Sequence, residues 1–546
     1  NLCKKIARAI MNAKAYEPIF DKHLILSGFK YNDMKWLAKL LAKDKIIMGQ
    51  NFVRFFTYFC MEIVLKHLHC EADSNQLIRF YRKDVWTRIK KYSVEKFIVD
   101  RKAVEIGEKD SDYHYFLNFI PKSTTTRPIE VFYDLKTKDE LKIINRALIY
   151  LIEDNNISTG FGLRSIPKFA NILRIFAARN KNDVKEYYCF SGDITNCYPS
   201  IRHDILKIAL DSIIPRNMIL HVGHYFTKYP RARRPKIIIG KSLNEVENLA
   251  RKSGLVKDHS GIQKIETNKV FEYVLKYAMK SVVKVSGKFY KCHGGISQGS
   301  QLSTTLCNIY LAHVENQLFR NCGEDLTEYL YGQKALLFRY IDDYLFISKD
   351  QELSSKIILK LLNEADTEYG MKMNSKKIKA SNNLSQMENI LTKSQYCTFQ
   401  ENSKIPWCGI TIDTKNLSIS IDSTRYKTKR KRISIKKFNT DEKKIQWIIE
   451  KIKSLMKWKL KIIRQTIRIH NTSKERNLLI NEINDSIIKD FANYFFKRMR
   501  IKYRTYREKI KSLKIFMRNY IRRRRKKNPK KKERIKRKLK LNSQQY

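Results

Sequence analysis

The chain is 546 residues long, 43% hydrophobic and 30% charged, which suffices for several domains with buried cores. It carries 110 Lys and Arg against 54 Asp and Glu, a net charge of +56. An excess of that size repels itself unless a polyanion neutralises it, so nucleic acid is the expected partner.

A membrane partner is not expected. No stretch reaches the roughly 20 uncharged apolar residues of a span. The most apolar region, 52–68, is interrupted by Arg54, Glu62 and Lys66. The ten cysteines are scattered without a CxxC pair, as in a reducing compartment, and no signal peptide is visible. His67, His69 and Cys70 lie close together, as do His221 and His224, but neither group has a second ligand pair at zinc spacing.

In chain order, residues 1–105 read as helical, with apolar residues at three-to-four spacing in Met34–Leu41 and Phe52–Leu68. They end in an aromatic and basic block containing Phe80, Tyr81, Arg82, Lys83 and Trp86. Residues 106–350 alternate short strands with helices. Within them, Lys122 and Arg127 flank a polar turn between two strand-like runs. An apolar run then delivers Asp193 near its end, with Tyr198 five residues on. Gly295 to Ser303 follows, with Gln298 and Gly299 at its centre. Two apolar runs in Leu336–Ser348 flank Asp342 and Asp343, a hairpin with both carboxylates at its turn. Residues 351–420 continue through a helix, 354–365, and two short strands. From 421 the sequence is helical and basic. Its stretch 521–540 holds 14 Lys or Arg and one Glu, so 521–546 is expected to be a disordered, solvated tail.

The carboxylates carry the chemistry. Asp342 and Asp343 stand at the edge of an apolar core, a costly position that a bound cation relieves. A third carboxylate from another strand, Asp193, is what a two-metal centre needs. Mg²⁺ keeps several waters, so few protein ligands suffice. Asp193 and Asp342 are the expected direct ligands, Asp343 supports them, and the backbone carbonyl of Ile194 is a further ligand. Tyr198 is suited to stack beneath an incoming sugar, where its ring would clash with a 2′-hydroxyl.

Asp193-x4-Tyr198, then Gly295-Ile-Ser-Gln-Gly-Ser-Gln-Leu-Ser303, then Tyr340-Ile-Asp-Asp343, in that order, resemble motifs A, B and C of the reverse transcriptases. In the segment that resembles motif B, Gln298 and Gly299 are expected to start a helix whose backbone approaches template and nucleotide closely, as Gly permits. Ser297 stands where that family usually has Pro. Phe116 to Ile129 resembles the fingers hairpin, which implies that Lys122 and Arg127 grip the triphosphate beside Tyr198, Gln298 and Gly299. Gly370 to Lys377 resembles motif D and implies Lys377 as a general acid toward pyrophosphate. Pro406-Trp-Cys-Gly409 resembles the primer grip, with Trp407, Cys408 and Gly409 holding the 3′ end.

Four features resemble the telomerase reverse transcriptases in particular. Phe80 to Trp86 matches the core of their T motif, which contacts the telomerase RNA. Ser158 to Ile166 matches a segment just before motif A. Trp407 to Thr414 is close to their motif E. Lastly, 105 residues separate Asp193 from Gln298, room for the family's fingers insertion at about 207–286.

The resemblance implies an α+β fold: a right-hand polymerase of fingers, palm and thumb, preceded by a mostly helical RNA-binding domain. Its parts are a shortened RNA-binding domain over 1–105, fingers and palm over 106–350, the end of the palm and primer grip over 351–420, and a basic helical thumb over 421–546. No counterpart of the separate N-terminal domain of many telomerase reverse transcriptases is expected within these residues, which would bear on recruitment and processivity rather than on nucleotide addition. Two Mg²⁺ ions, deoxynucleoside triphosphates, the telomerase RNA, telomeric single-stranded DNA and an RNA–DNA hybrid are the implied cofactors and partners, and the nucleus, at telomeres, the implied location. A retroelement or intron-encoded reverse transcriptase would predict no T motif and a shorter gap between motifs A and B. An inactive RNA-binding scaffold would have no need of Asp193, Asp342, Asp343, Lys122 and Gln298.

Overall fold

A computed structural model of the chain describes residues 2–11, 34–73, 77–108, 115–122, 125–132, 134–155, 160–162, 166–180, 186–227, 235–320, 334–381, 384, 398–400, 403–422 and 440–454, together with 508, 511 and 515. The basic run 231–234 and the tail 521–546 lie outside them. The chain divides into two units, one of residues 1–164, 184–408 and 427–437, the other of 165–183, 409–426 and 438–546. This division cuts across the four regions read from the sequence.

In the first unit, the helices Leu2–Met11 and Ala42–His67 share a small core of Ile6, Ile10 and Val53, against which Phe52, Phe56 and Phe80 pack. The region expected to stay helical to residue 105 is broken by an antiparallel hairpin of β1 (Leu68–Ala72) and β2 (Ile78–Arg82). Asp73 fixes its turn by accepting from the Leu77 N–H at 3.1 Å and from Arg79 Nε at 3.0 Å. The Lys83–Asp100 helix follows at once. Next come β3 (Val104–Ile106), β4 (Tyr115–Pro121) and β5 (Thr126–Phe132). Along β4, Tyr115, Leu117 and Phe119 are buried and alternate with more exposed residues, the period-two pattern of a strand with one covered face.

After the Leu135–Asp154 helix, β6 (Tyr188–Asp193) runs into the core, where Cys189 to Gly192 are all buried. Beyond a short helix at Cys197–Ser200 and another at His203–Asp211, residues 219–266 form a sheet of their own. Its strands are β7 (Ile219–Thr227), β8 (Lys236–Gly240) and β9 (Leu255–Glu266), in the order β8-β7-β9. The Leu243–Lys252 helix, capped by Ser242 Oγ, joins β8 to β9. This sheet and its helix are tied to the Leu135–Asp154 helix by the Tyr150 hydroxyl, which donates to Glu245 at 3.0 Å, and by a 2.6 Å Lys241–Asp154 ion pair. Then β10 (Val282–Val285) and β11 (Lys288–Lys291) complete a five-stranded sheet, β3-β11-β10-β4-β5.

The Ser303–Arg320 helix leads to β12 (Ala335–Tyr340) and β13 (Asp343–Ser348). The expected helix over 354–365 extends from Gln351 to Tyr369 with one π turn at Lys360–Glu364, and Gly370 ends it at φ 65°. With β14 (Lys379–Ser381) and β15 (Thr398–Gln400), these strands form the second five-stranded sheet, β12-β13-β6-β14-β15. β6 is its central strand, covered on both faces. That is why its sequence reads as a continuous apolar run instead of an alternation. β16 (Lys404–Trp407) closes the described part of this unit. In the second unit, β17 (Ile410–Asp413) pairs antiparallel with β18 (Ile419–Ile421), and a helix over 441–454 buries Ile445, Ile448, Ile449 and Ile452 at helical spacing.

Candidate active site

β6 ends at Asp193 and β13 begins at Asp343, and the register sets these two residues directly opposite each other. Antiparallel partners have Cα atoms about 4.5–5.5 Å apart, so their side chains are neighbours. Asp342 is the second residue of the two-residue loop closing β12 onto β13, with Tyr340 paired to Asp343. The Ile194 N–H donates to the Asp342 carbonyl at 3.2 Å, and on its other side Ile194 bridges to Met373. Burial pushes the Asp342 carboxyl above its usual range, and the negative charge of Asp193 adds to the shift. Asp193 Oδ1 is buried without a hydrogen-bond partner, while Oδ2 accepts from Lys377 Nζ at 2.5 Å.

An orphaned carboxylate oxygen beside a second desolvated carboxylate suits a divalent cation. One carboxylate oxygen of Asp343 accepts from Cys408 Sγ at 3.6 Å. Among the described residues no three His, Cys, Asp or Glu side chains gather closely enough to hold a metal by themselves. Mg²⁺ does not need three, because one or two carboxylates complemented by water and substrate phosphates fill its shell.

The cations converge on the same end of the sheet. The Lys122 N–H donates to the Thr125 carbonyl at 2.7 Å and tightens the β4–β5 turn, and Arg127 pairs with Ile120. The Lys122 ammonium is held below the usual lysine range by burial, then by the positive charges of Arg127, Lys377 and Lys96. Arg127 and Lys377 in turn oppose the upward shift of Asp342. So many like charges close together favour a polyanion between them.

Tyr198 is half-buried in the Cys197–Ser200 helix, and its hydroxyl is pushed up to about 12 by burial, so it stays neutral. Its carbonyl accepts from the Ile296 N–H at 2.9 Å. This contact needs Gly295, since a Cβ there would lie 2.6 Å from Pro199 Cα. Gln298 and Gly299 do not start the helix as the sequence suggested; they form a turn, and the helix begins at Ser303. The reason is a competing partner. The Gln298 carbonyl accepts from the Glu130 N–H of β5 at 2.8 Å, and Gly299, at φ 118°, passes so close that a Cβ would meet the Glu130 carbonyl at 2.7 Å. Ser297 is fully buried and secures this loop, donating to the Tyr277 carbonyl at 3.3 Å and accepting from the Ser303 hydroxyl.

Pro406 to Cys408 is pinned to the same strand ends. Ser191 Oγ donates to the Pro406 carbonyl at 3.3 Å, and Trp407 Nε1 donates to the Asp343 carbonyl at 3.3 Å. Cys408 and Gly409 both have positive φ, 46° and 80°. The aromatic and basic block is differently disposed. Trp86 is 8% exposed, stacked on His69 with centroids 4.5 Å apart and against Tyr81 at 5.0 Å. Phe80 packs into the helical core, Arg82 pairs with Asp84 at 2.9 Å, and Lys83 is exposed. Sequence reasoning missed two charged residues buried behind the site, Arg339 and Glu315. The one available signal was a lone Arg inside the apolar run Leu336–Tyr340.

The family described as "Reverse transcriptase (RNA-dependent DNA polymerase)" matches residues 256–412. The telomerase reverse transcriptase of Rattus norvegicus is 23% identical over 453 residues, 73% of this chain and 39% of the relative. That of Oxytricha trifallax is 23% identical over 506 residues, 80% of this chain and 44% of the relative. Over most of its length the chain is similar to telomerase reverse transcriptases. It spans about two fifths of the length of these relatives. The fold agrees. Telomerase from Candida albicans, solved with a fragment of telomeric RNA, superposes with a TM-score of 0.58 at 14% identity, covering 90% of this chain and 79% of that one. Apo telomerase from Candida tropicalis gives 0.56 at 16% identity, covering 94% and 84%. The α+β right-hand polymerase fold is therefore the fold of this chain.

Proposed function

We propose that the chain is an RNA-directed DNA polymerase of the telomerase type, which extends chromosome 3′ ends by copying a bound RNA template. One observation above all supports this reading: Asp193 pairs directly with Asp343, which brings the Asp342 carboxylate beside an unpartnered oxygen of Asp193. Polymerases of the reverse transcriptase family generally use divalent metal ions. Two Mg²⁺ ions here would supply charge stabilisation and lower the pKa of the primer hydroxyl, held by Asp193, Asp342 and the Ile194 carbonyl, with Asp343 in support.

The chain's own residues do the positioning on which phosphoryl transfer depends. Lys122 and Arg127 orient the triphosphate of a deoxynucleotide. Tyr198 excludes a ribose 2′-hydroxyl, and Gln298 and Gly299 set the nucleotide against its template. Lys377 delivers a proton to the departing pyrophosphate oxygen. Trp407, Cys408 and Gly409 hold the end of a telomeric single strand as it becomes an RNA–DNA hybrid. Telomerase RNA is held by Tyr81, Arg82 and Lys83, over a support of Phe80 and Trp86. The working location is the nucleus, at telomeres. The separate sheet of β7, β8 and β9 favours this reading over a retroelement or intron-encoded enzyme, whose motifs A and B lie closer together.

Primer extension on a telomere-like oligonucleotide tests the proposal. Addition should require the copurifying RNA, fail after RNase treatment, and fall by about 10³-fold or more in Asp342→Ala, the scale of several kcal/mol of lost charge stabilisation. Addition that survives Asp342→Ala would remove the metal assignment, and addition indifferent to RNase would remove the bound template.

A further inference from the structure

The loop that carries Asp342 is held in an unfavourable conformation. Ile341 has φ 62°, whereas Asp342 is not in the left-handed region, the pattern of a type II′ hairpin turn, whose first loop position normally takes Gly. A β-branched residue there is an outlier that persists only where its surroundings over-determine it.

The surroundings are a fully buried ionic network. Arg339 lies on β12 with none of its surface exposed, and its Nη1 donates to the Ile341 carbonyl at 3.0 Å and to Asn308 Oδ1 at 2.7 Å. Its Nε donates to Glu315 Oε1 at 2.5 Å and its Nη2 to Oε2 at 3.3 Å. Glu315, on the Ser303–Arg320 helix, also accepts from the Tyr344 hydroxyl at 2.6 Å and from the Phe161 N–H at 2.9 Å. The Phe161 carbonyl accepts from the Arg339 N–H at 2.9 Å, and Gly162 bridges to Arg339 in parallel. Gly160 is required by this packing, because a Cβ there would lie 2.1 Å from Glu315 Oε2. The Gly-Phe-Gly segment before motif A is thus the cradle of the network.

We propose that Arg339 and Glu315 are positioning residues for the metal site: locked together by the 160–162 cradle and Tyr344, they hold Ile341 in its left-handed conformation and so aim Asp342 at Asp193. The inference rests on the proposed function only in taking Asp193 and Asp342 as metal ligands. Removing one partner from a buried ion pair is costly, so fixing this geometry explains why the charges sit in an apolar core.

Mn²⁺ binding to the whole chain, followed by electron paramagnetic resonance, tests this apart from polymerase activity. Arg339→Lys keeps the charge and loses the fork, and should weaken Mn²⁺ binding about 10-fold, the lower end for partners that orient metal ligands. Tyr344→Phe, which removes a single hydroxyl, should weaken it about threefold and covers the case in which Arg339→Lys does not fold. The discriminating variant is Arg339→Lys with Ile341→Gly. Gly adopts the left-handed conformation unaided, so Mn²⁺ binding should largely return, which a general loss of stability would not allow. If both single variants bind Mn²⁺ as the native chain does, or Ile341→Gly restores nothing, the inference falls while primer extension by the native chain stands. If the native chain neither binds Mn²⁺ nor extends primers, both readings fall together.

Discussion

The ammonium of Lys377 lies 2.5 Å from Asp193 Oδ2, so the residue proposed to protonate pyrophosphate is itself a cation on the carboxylate proposed as a metal ligand. The two roles are compatible if a metal ion displaces the lysine toward the leaving group. Lys377 is 63% exposed, so solvent weakens the pair to at most about 1 kcal/mol. Lys377→Met should therefore tighten Mn²⁺ binding up to about fivefold. The same change should lower kcat in single-turnover extension about 10²-fold. Weaker Mn²⁺ binding in this variant would contradict the displacement.

Tyr198 governs sugar choice in the proposed reaction. Tyr198→Ala should raise ribonucleotide incorporation relative to deoxynucleotide by about 10-fold or more, read as the ratio of kcat/KM values. Because its carbonyl bond to Ile296 is made by the backbone, the Gly295 loop should survive the change. An unaltered ratio would leave Tyr198 as a core aromatic only.

Lys122 supplies a pH dependence with a definite sign. Burial and neighbouring cations lower its pKa, so it loses its proton at a lower pH than a free lysine does. Triphosphate binding that depends on its charge is intact on the acid side and lost as pH rises through that lowered value. KM for the nucleotide should climb in the alkaline range earlier than an unshifted lysine allows, and Lys122→Arg should remove the climb because guanidinium stays charged. A KM that is flat with pH in the native chain would exclude the contact.

The aromatic and basic block separates into support and contact. Trp86→Ala empties a buried stack on His69 and should cost about 3–5 kcal/mol of stability in denaturant melts. Lys83→Ala, at an exposed position, should leave the melt unchanged, weaken RNA binding and reduce its salt slope by about one. A destabilised Lys83→Ala, or equal RNA affinity, would reverse these roles.

Sequence alone determined the hairpin that carries Asp342 and Asp343 and the strand that ends at Asp193. Those features are local: strand-forming apolar runs on both sides of a carboxylate pair dictate a buried hairpin whatever surrounds it. The β1–β2 hairpin escaped the reading because Phe52 to Leu68 sets a strong helical period immediately before it, and the strand break depends on Asp73 reaching Leu77 and Arg79. Tertiary structure decided the rest. The start of the Ser303 helix and the contact of Asp343 with Cys408 each depend on a partner distant in sequence. So does the Arg339–Glu315 network, since only a packed core shows that its charges are too costly to be there without a partner.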